Sequence, residues 1–184
     1  VGFTIIIFVE CGLFVGMFFP GDSLLLLLGV MMANQQVTQP VWLVVAMLYL
    51  AAVGGNVMGY QLGKAIGPRL FGRPDAKYLK QSHVEKTEAF FAKYGNKAIV
   101  LARFVPVVRS LITAVAGIGR MDQRRFYLYS AVGAFIWVFL NFFVGYGLGQ
   151  FAWVQTNFSG ILVLWVILSS IPIGIEILKA RREK

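Results

Sequence analysis

AIVLARFVPVVRSLITAVAGIG, residues 98 to 119, is an apolar run interrupted by Arg103, Pro106 and Arg109. An arginine in hydrocarbon is costly, and a proline removes a backbone donor from a helix, so a stretch carrying all three is a poor plain membrane span. It reads instead as a site built into a membrane segment that dips in and returns.

The rest of the chain supports that solvent. Of its 184 residues 58% are hydrophobic and only 14% charged. Apolar runs at 41 to 62, 126 to 149 and 159 to 178 approach or exceed the roughly 20 residues that cross the bilayer core. These features point to an all-α integral membrane protein forming a single membrane domain over residues 1 to 184. The net charge of +9 is explained without nucleic acid, because the basic residues cluster in short segments between apolar runs, as orientation in a membrane requires. Cys11 is the single cysteine and His83 the single histidine, so neither a disulfide framework nor a metal set is expected. No cofactor is implied. The chain opens on Val1, so a preceding segment is expected.

Residues 3 to 33 are apolar but broken at Phe19-Pro20-Gly21-Asp22, with Glu10 in the first half. Each half is short for a span, which predicts a re-entrant hairpin with Pro20 and Gly21 at its tip. A helix is predicted from about Val41 to Leu62, with Gly55, Gly59, Gly63 and Gly67 spaced for close helix contact. Residues 64 to 97 turn basic, with Gly67-Pro68 as a breaker, and Val84, Phe90, Phe91 and Tyr94 recur at helical spacing, predicting a cytoplasmic amphipathic segment at the membrane surface. Arg120, Arg124 and Arg125 form a second basic cluster. If both clusters face the cytoplasm, residues 98 to 119 must enter and leave on the same side, with Pro106 at the tip. A spanning helix from about Phe126 to Gly149 follows, then a C-terminal one over 160 to 178, which returns the C-terminus to the cytoplasm.

A shift of 86 residues lays Gly59-Tyr60-x-Leu62-Gly63 on Gly145-Tyr146-x-Leu148-Gly149, and Phe18-x-Pro20 on Phe104-x-Pro106. The chain therefore reads as two repeats, about 3 to 67 and 89 to 153, each a re-entrant hairpin followed by one crossing helix. One crossing per repeat inverts the second copy, an architecture in which binding sites lie at interrupted helices near the midplane. Glu10 and Asp22 on one hairpin and Arg103 and Arg109 on the other should then pair or face water. Arginine's planar fork suits phosphate oxygens, and a carboxylate whose partner comes and goes can exchange a proton. The expected function is proton-coupled carriage of an anionic, phosphorylated amphiphile, with Arg103 and Arg109 binding substrate and Glu10 and Asp22 handling the proton. A fixed structural ion-pair network is the competing reading of the same four residues.

Glu10-x-Gly12-Leu13, Phe19-Pro20-Gly21-Asp22-Ser23, Gly59-Tyr60-x-x-Gly63, Ala102-Arg103-Phe104-Val105-Pro106-x-Val108-Arg109, Ala116-Gly117-x-Gly119-x-Met121 and Gly133-Ala134-x-x-Trp137 together resemble the bacterial DedA family of VTT-domain membrane proteins. The similarity covers nearly the whole chain. It implies a multi-pass protein of the bacterial inner membrane with opposed re-entrant hairpins, dependent on proton motive force. It also implies movement of a lipid carrier such as undecaprenyl phosphate in support of envelope integrity, with essential positions matching Glu10, Asp22, Arg103 and Arg109. Three positions depart from the family pattern: Asn56 where an aspartate is usual, Thr113 where a proline is common, and Ser130 where an asparagine is frequent. Asn56 removes one carboxylate from the membrane interior.

The implied partners are a phospholipid or polyprenyl phosphate and protons; self-association is left open. Trp42, Trp137, Trp153 and Trp165 are interfacial anchors or core packing, with their positions near helix ends favouring the first. An intramembrane lipid phosphatase would need a nucleophile with a base or metal, and no histidine lies in an apolar run, so no enzyme is expected. A lipid-organising protein that moves nothing across the membrane is the stronger alternative.

Overall fold

The computed structural model describes residues 2–12, 21–70, 89, 91–104, 106–157 and 160. All the regular elements among them are helical: α1 (Gly2–Gly12), α2 (Gly21–Ala33), α3 (Val41–Leu70), α4 (Ala98–Leu101), α5 (Pro106–Ile118), α6 (Gln123–Gly149) and α7 (Ala152–Thr156), with 3-10 turns at Gly95–Lys97 and Ala102–Phe104. Among the described residues two helices are long and apolar enough to cross a membrane, Val41–Ala65 within α3 and the whole of α6. At about 1.5 Å per residue each exceeds the roughly 30 Å of hydrocarbon.

The helix boundaries follow from local chemistry. Pro106 opens α5, at the first helical position where its missing N–H is no loss. Asp122 accepts a hydrogen bond from the Arg125 amide (3.0 Å) and so caps α6. The helix predicted to stop near Leu62 runs on to Leu70, through Pro68. A proline there costs a single hydrogen bond within the last turn, where few helical bonds remain to be broken.

α2 and α5 end alike. The Gln36 amide donates to the Met31 carbonyl (3.0 Å) and Gln35 to Met32 (3.2 Å), while Met121 donates to Ala116 (3.0 Å) and Arg120 to Gly117 (3.1 Å). This is the Schellman pattern, with Gln35 (φ 54°) and Arg120 (φ 48°) in the left-handed position that glycine usually fills.

The chain divides into two compact units, Val1–Phe19 with Ala46–Val138, and Pro20–Val45 with Phe139–Lys184. In the first, α1 lies against α3 where a Cβ on Gly55 would meet Cys11 Cβ at 2.8 Å. α5 lies further along α3, with a Cβ on Gly59 falling 2.8 Å from Thr113 Oγ1 and one on Gly63 overlapping the Ala114 backbone. Tyr60 stacks on Phe126 (ring centroids 4.4 Å apart) and donates to the Met121 carbonyl (2.6 Å), tying the turn before α6 to α3. In the second unit, α2 lies on the last part of α6: a Cβ on Gly145 would overlap the Leu26 backbone, and one on Gly149 would sit 2.9 Å from Val30 Cα. Such small-residue contacts are how apolar helices pack closely in lipid.

The predicted amphipathic segment of 64 to 97 lies largely outside the described residues, as do Pro20 and the predicted helix of 160 to 178. Lys64 and Ala65 continue α3.

Candidate functional site

Glu10 lies on the inner face of α1, buried with Ile7 and Gly12. Arg109 sits one turn into α5. The two meet: Arg109 Nη2 donates to Glu10 Oε1 and forms an ion pair, with the Glu10 side chain 2% and the Arg109 side chain 17% exposed. Arg103 comes from the 3-10 turn between α4 and α5 and is only 5% exposed. Glycine at 133 makes room for it, since a Cβ there would lie 3.2 Å from Arg103 Nε. Its Nη2 is buried with no hydrogen-bond partner among the described residues.

These side chains line one small cavity together with Cys11, Asn56 and Thr113. Its volume is about 20 Å³, room for about one water molecule. Ile99 and Ile112 supply the apolar wall. With Glu10 ionised, the charged groups around it sum to one positive charge. A buried guanidinium with an open donor favours an acceptor that brings negative charge, since leaving such a donor unsatisfied in low dielectric is costly.

Of the residues singled out in the sequence, Glu10, Arg103 and Arg109 are thus brought together. Asp22 stands in the first turn of α2, where its charge complements the helix N-terminus. It belongs to the second compact unit and is not among the described residues lining the cavity. Gly21 is the buried first residue of α2.

Two participants were not foreseen. Trp137 is 1% exposed, and the guanidinium carbons of Arg103 and Arg109 lie 5.6 and 5.3 Å from its ring centroid. The indole therefore steadies two like charges through its π face. Trp42 and Trp153, by contrast, stand outside, 71% and 69% exposed. The second surprise is that two of the three departures from the family pattern touch: Asn56 Nδ2 donates to Ser130 Oγ at 2.7 Å, both residues buried. The pair is polar and neutral. Ser130→Ala leaves the Asn56 amide without this acceptor and should destabilise the protein by about 1–3 kcal/mol. Ser130→Ala combined with Asn56→Leu should recover part of that loss in a thermal melt in detergent.

Apolar helices long enough to span and a buried acid–guanidinium cavity define a helical membrane protein with charge at its core. The VTT domain family model matches residues 19–147. The chain is 38% identical over 178 residues to Protein DedA of Escherichia coli K12, covering 97% of this chain and 81% of that one. It is 35% identical over 171 residues to the uncharacterized membrane protein Rv0364 of Mycobacterium tuberculosis H37Rv (93% and 75%). Against the inner membrane protein YqjA of Escherichia coli K12 the identity is 30% over 146 residues (79% and 66%). No solved structure matches. The chain belongs to the DedA family of VTT-domain membrane proteins.

Proposed function

We propose that this protein is a proton-coupled carrier of a phosphorylated amphiphile, of the polyprenyl phosphate class, in the bacterial inner membrane, and that its cavity receives the head group. The observation that carries the reading is Arg103, buried, with an open Nη2 donor beside the Glu10–Arg109 ion pair. An arginine is retained in such a place at a cost of several kcal/mol, and phosphate oxygens match its donors. The location follows from the relative named an inner membrane protein and from the basic segments, which are read as cytoplasmic together with the C-terminus.

The reading includes two opposed re-entrant hairpins in an inverted repeat. Its support is the likeness of the return arms. α2 and α5 have 13 residues each. Both close on a Schellman turn with a non-glycine residue at positive φ. Each lies on a pair of glycines four apart: α2 on Gly145 and Gly149, α5 on Gly59 and Gly63. The arms are exchanged, the first repeat's arm lying on the second repeat's long helix and the reverse.

The test is reconstitution in vesicles with labelled polyprenyl phosphate, with and without an imposed pH gradient. Leaflet exchange that quickens with the gradient and is lost in Arg103→Gln is the expected result. Head-group binding without exchange would make the protein a lipid organiser, and release of phosphate an enzyme.

A further inference from the structure

The two arginines of the cavity are not equivalent. Arg109 is engaged with Glu10, whereas Arg103, more deeply buried, keeps an unpartnered Nη2. With the ion pair closed, the cavity of about 20 Å³ has room for about one water-sized molecule, less than a phosphate group needs. The closed ion pair and a bound anion therefore cannot occupy the site together. Charged groups facing Glu10 are Arg109 from α5 and Arg103 from the 3-10 turn; Cys11 is its titratable neighbour on α1, and Asn56 on α3 and Thr113 on α5 are neutral.

We propose that Glu10 and the anionic head group compete for Arg109: Arg103 is the standing anion ligand, and protonation of Glu10 releases Arg109 to become the second. This rests on reading the cavity as the head-group site. The proton goes to the Glu10 carboxylate and no other bond changes. With Glu10 ionised the three groups carry one positive charge; with Glu10 neutral they carry two, which matches a phosphate monoester of about −1.5 to −2 charge. Each bound head group thus brings one proton into the site. By reciprocity the anion strengthens proton binding at Glu10 by the same factor that the proton strengthens anion binding. Trp137 keeps the two guanidinium groups against one wall whichever partner Arg109 has.

The probe is farnesyl monophosphate, titrated calorimetrically into the detergent-solubilised full chain in buffers of different ionisation heat. The wild type should take up close to one proton per ligand more than Glu10→Gln, and its affinity should fall by up to about tenfold per pH unit as pH rises, relative to that variant. The ester's own titration is common to both proteins and cancels. Arg109→Gln should bind more weakly and lose the Glu10-linked uptake, and Arg103→Gln should lose binding at every pH.

Equal proton uptake by the wild type and Glu10→Gln overturns the exchange while leaving the head-group site standing. Wild-type affinity in Arg103→Gln overturns the exchange and, with it, the assignment of the head group to this cavity. Absence of any binding to the wild type removes the head-group reading and the exchange together. Infrared difference spectroscopy needs no variant: ligand addition to the wild type should raise the band of a protonated carboxyl group, and a spectrum without it overturns the proposal.

Discussion

Gly145→Leu should yield no folded protein, whereas Gly147→Leu, two residues away on the same helix, should be tolerated. A Cβ at position 145 overlaps the backbone of Leu26 on α2, and one at position 147 meets nothing within 4 Å. Overpacking against a flexible side chain costs about 1–3 kcal/mol because the neighbour can move. Here the obstacle is main chain held in its own helix, so α2 must separate from α6 and give up the close contact that binds apolar helices in lipid. The loss should exceed about 4 kcal/mol, among the largest that single substitutions produce. Monodisperse yield and thermal melting in detergent measure it. A stable Gly145→Leu protein would mean that α2 does not lie on α6 as described.

The second large effect is an asymmetry within the ion pair. Glu10→Leu strips the carboxylate from a pocket that retains two guanidinium groups, and a buried charge left without its partner costs about 3–5 kcal/mol. Arg109→Leu leaves a buried carboxylate, but that group can escape by taking a proton. Arginine has no such exit at any attainable pH. Glu10→Leu should therefore be the more damaging of the two, and the double variant less damaging than the sum. Glu10→Gln, which keeps an oxygen for Arg109, should be the mildest. Equal losses for Glu10→Leu and Arg109→Leu would show that the carboxylate gains nothing from protonation.

Much of the fold was legible because hydrocarbon leaves a chain few choices. Apolar runs of spanning length gave the helices now seen as α3 and α6, and the Gly-x-x-x-Gly spacing marked where helices approach. Gly67-Pro68 misled in the other direction: read as a stop, it lies within α3, because a proline in a final turn breaks too few bonds to end a helix. The acids and arginines were visible as charges that hydrocarbon obliges to find company. Which acid meets which arginine was not, since Glu10 and Arg109 are 99 residues apart and only the packing of α1 and α5 along α3 sets their meeting. Trp137 was missed for a related reason. Tryptophan in an apolar helix is equally at home facing head groups or core, and composition does not say which way it turns. The Asn56–Ser130 bond joins residues that looked like separate departures from a family pattern.

An indole flanked by two cations is also an optical instrument. Charge at a fixed place beside the ring shifts the energy of its excited state, so any movement of either guanidinium changes the colour of Trp137 emission. Trp42 and Trp153, turned outward, report their surroundings instead. With those outer tryptophans and Trp165 replaced by phenylalanine, the protein would signal the state of its own interior in real time, with no dye attached.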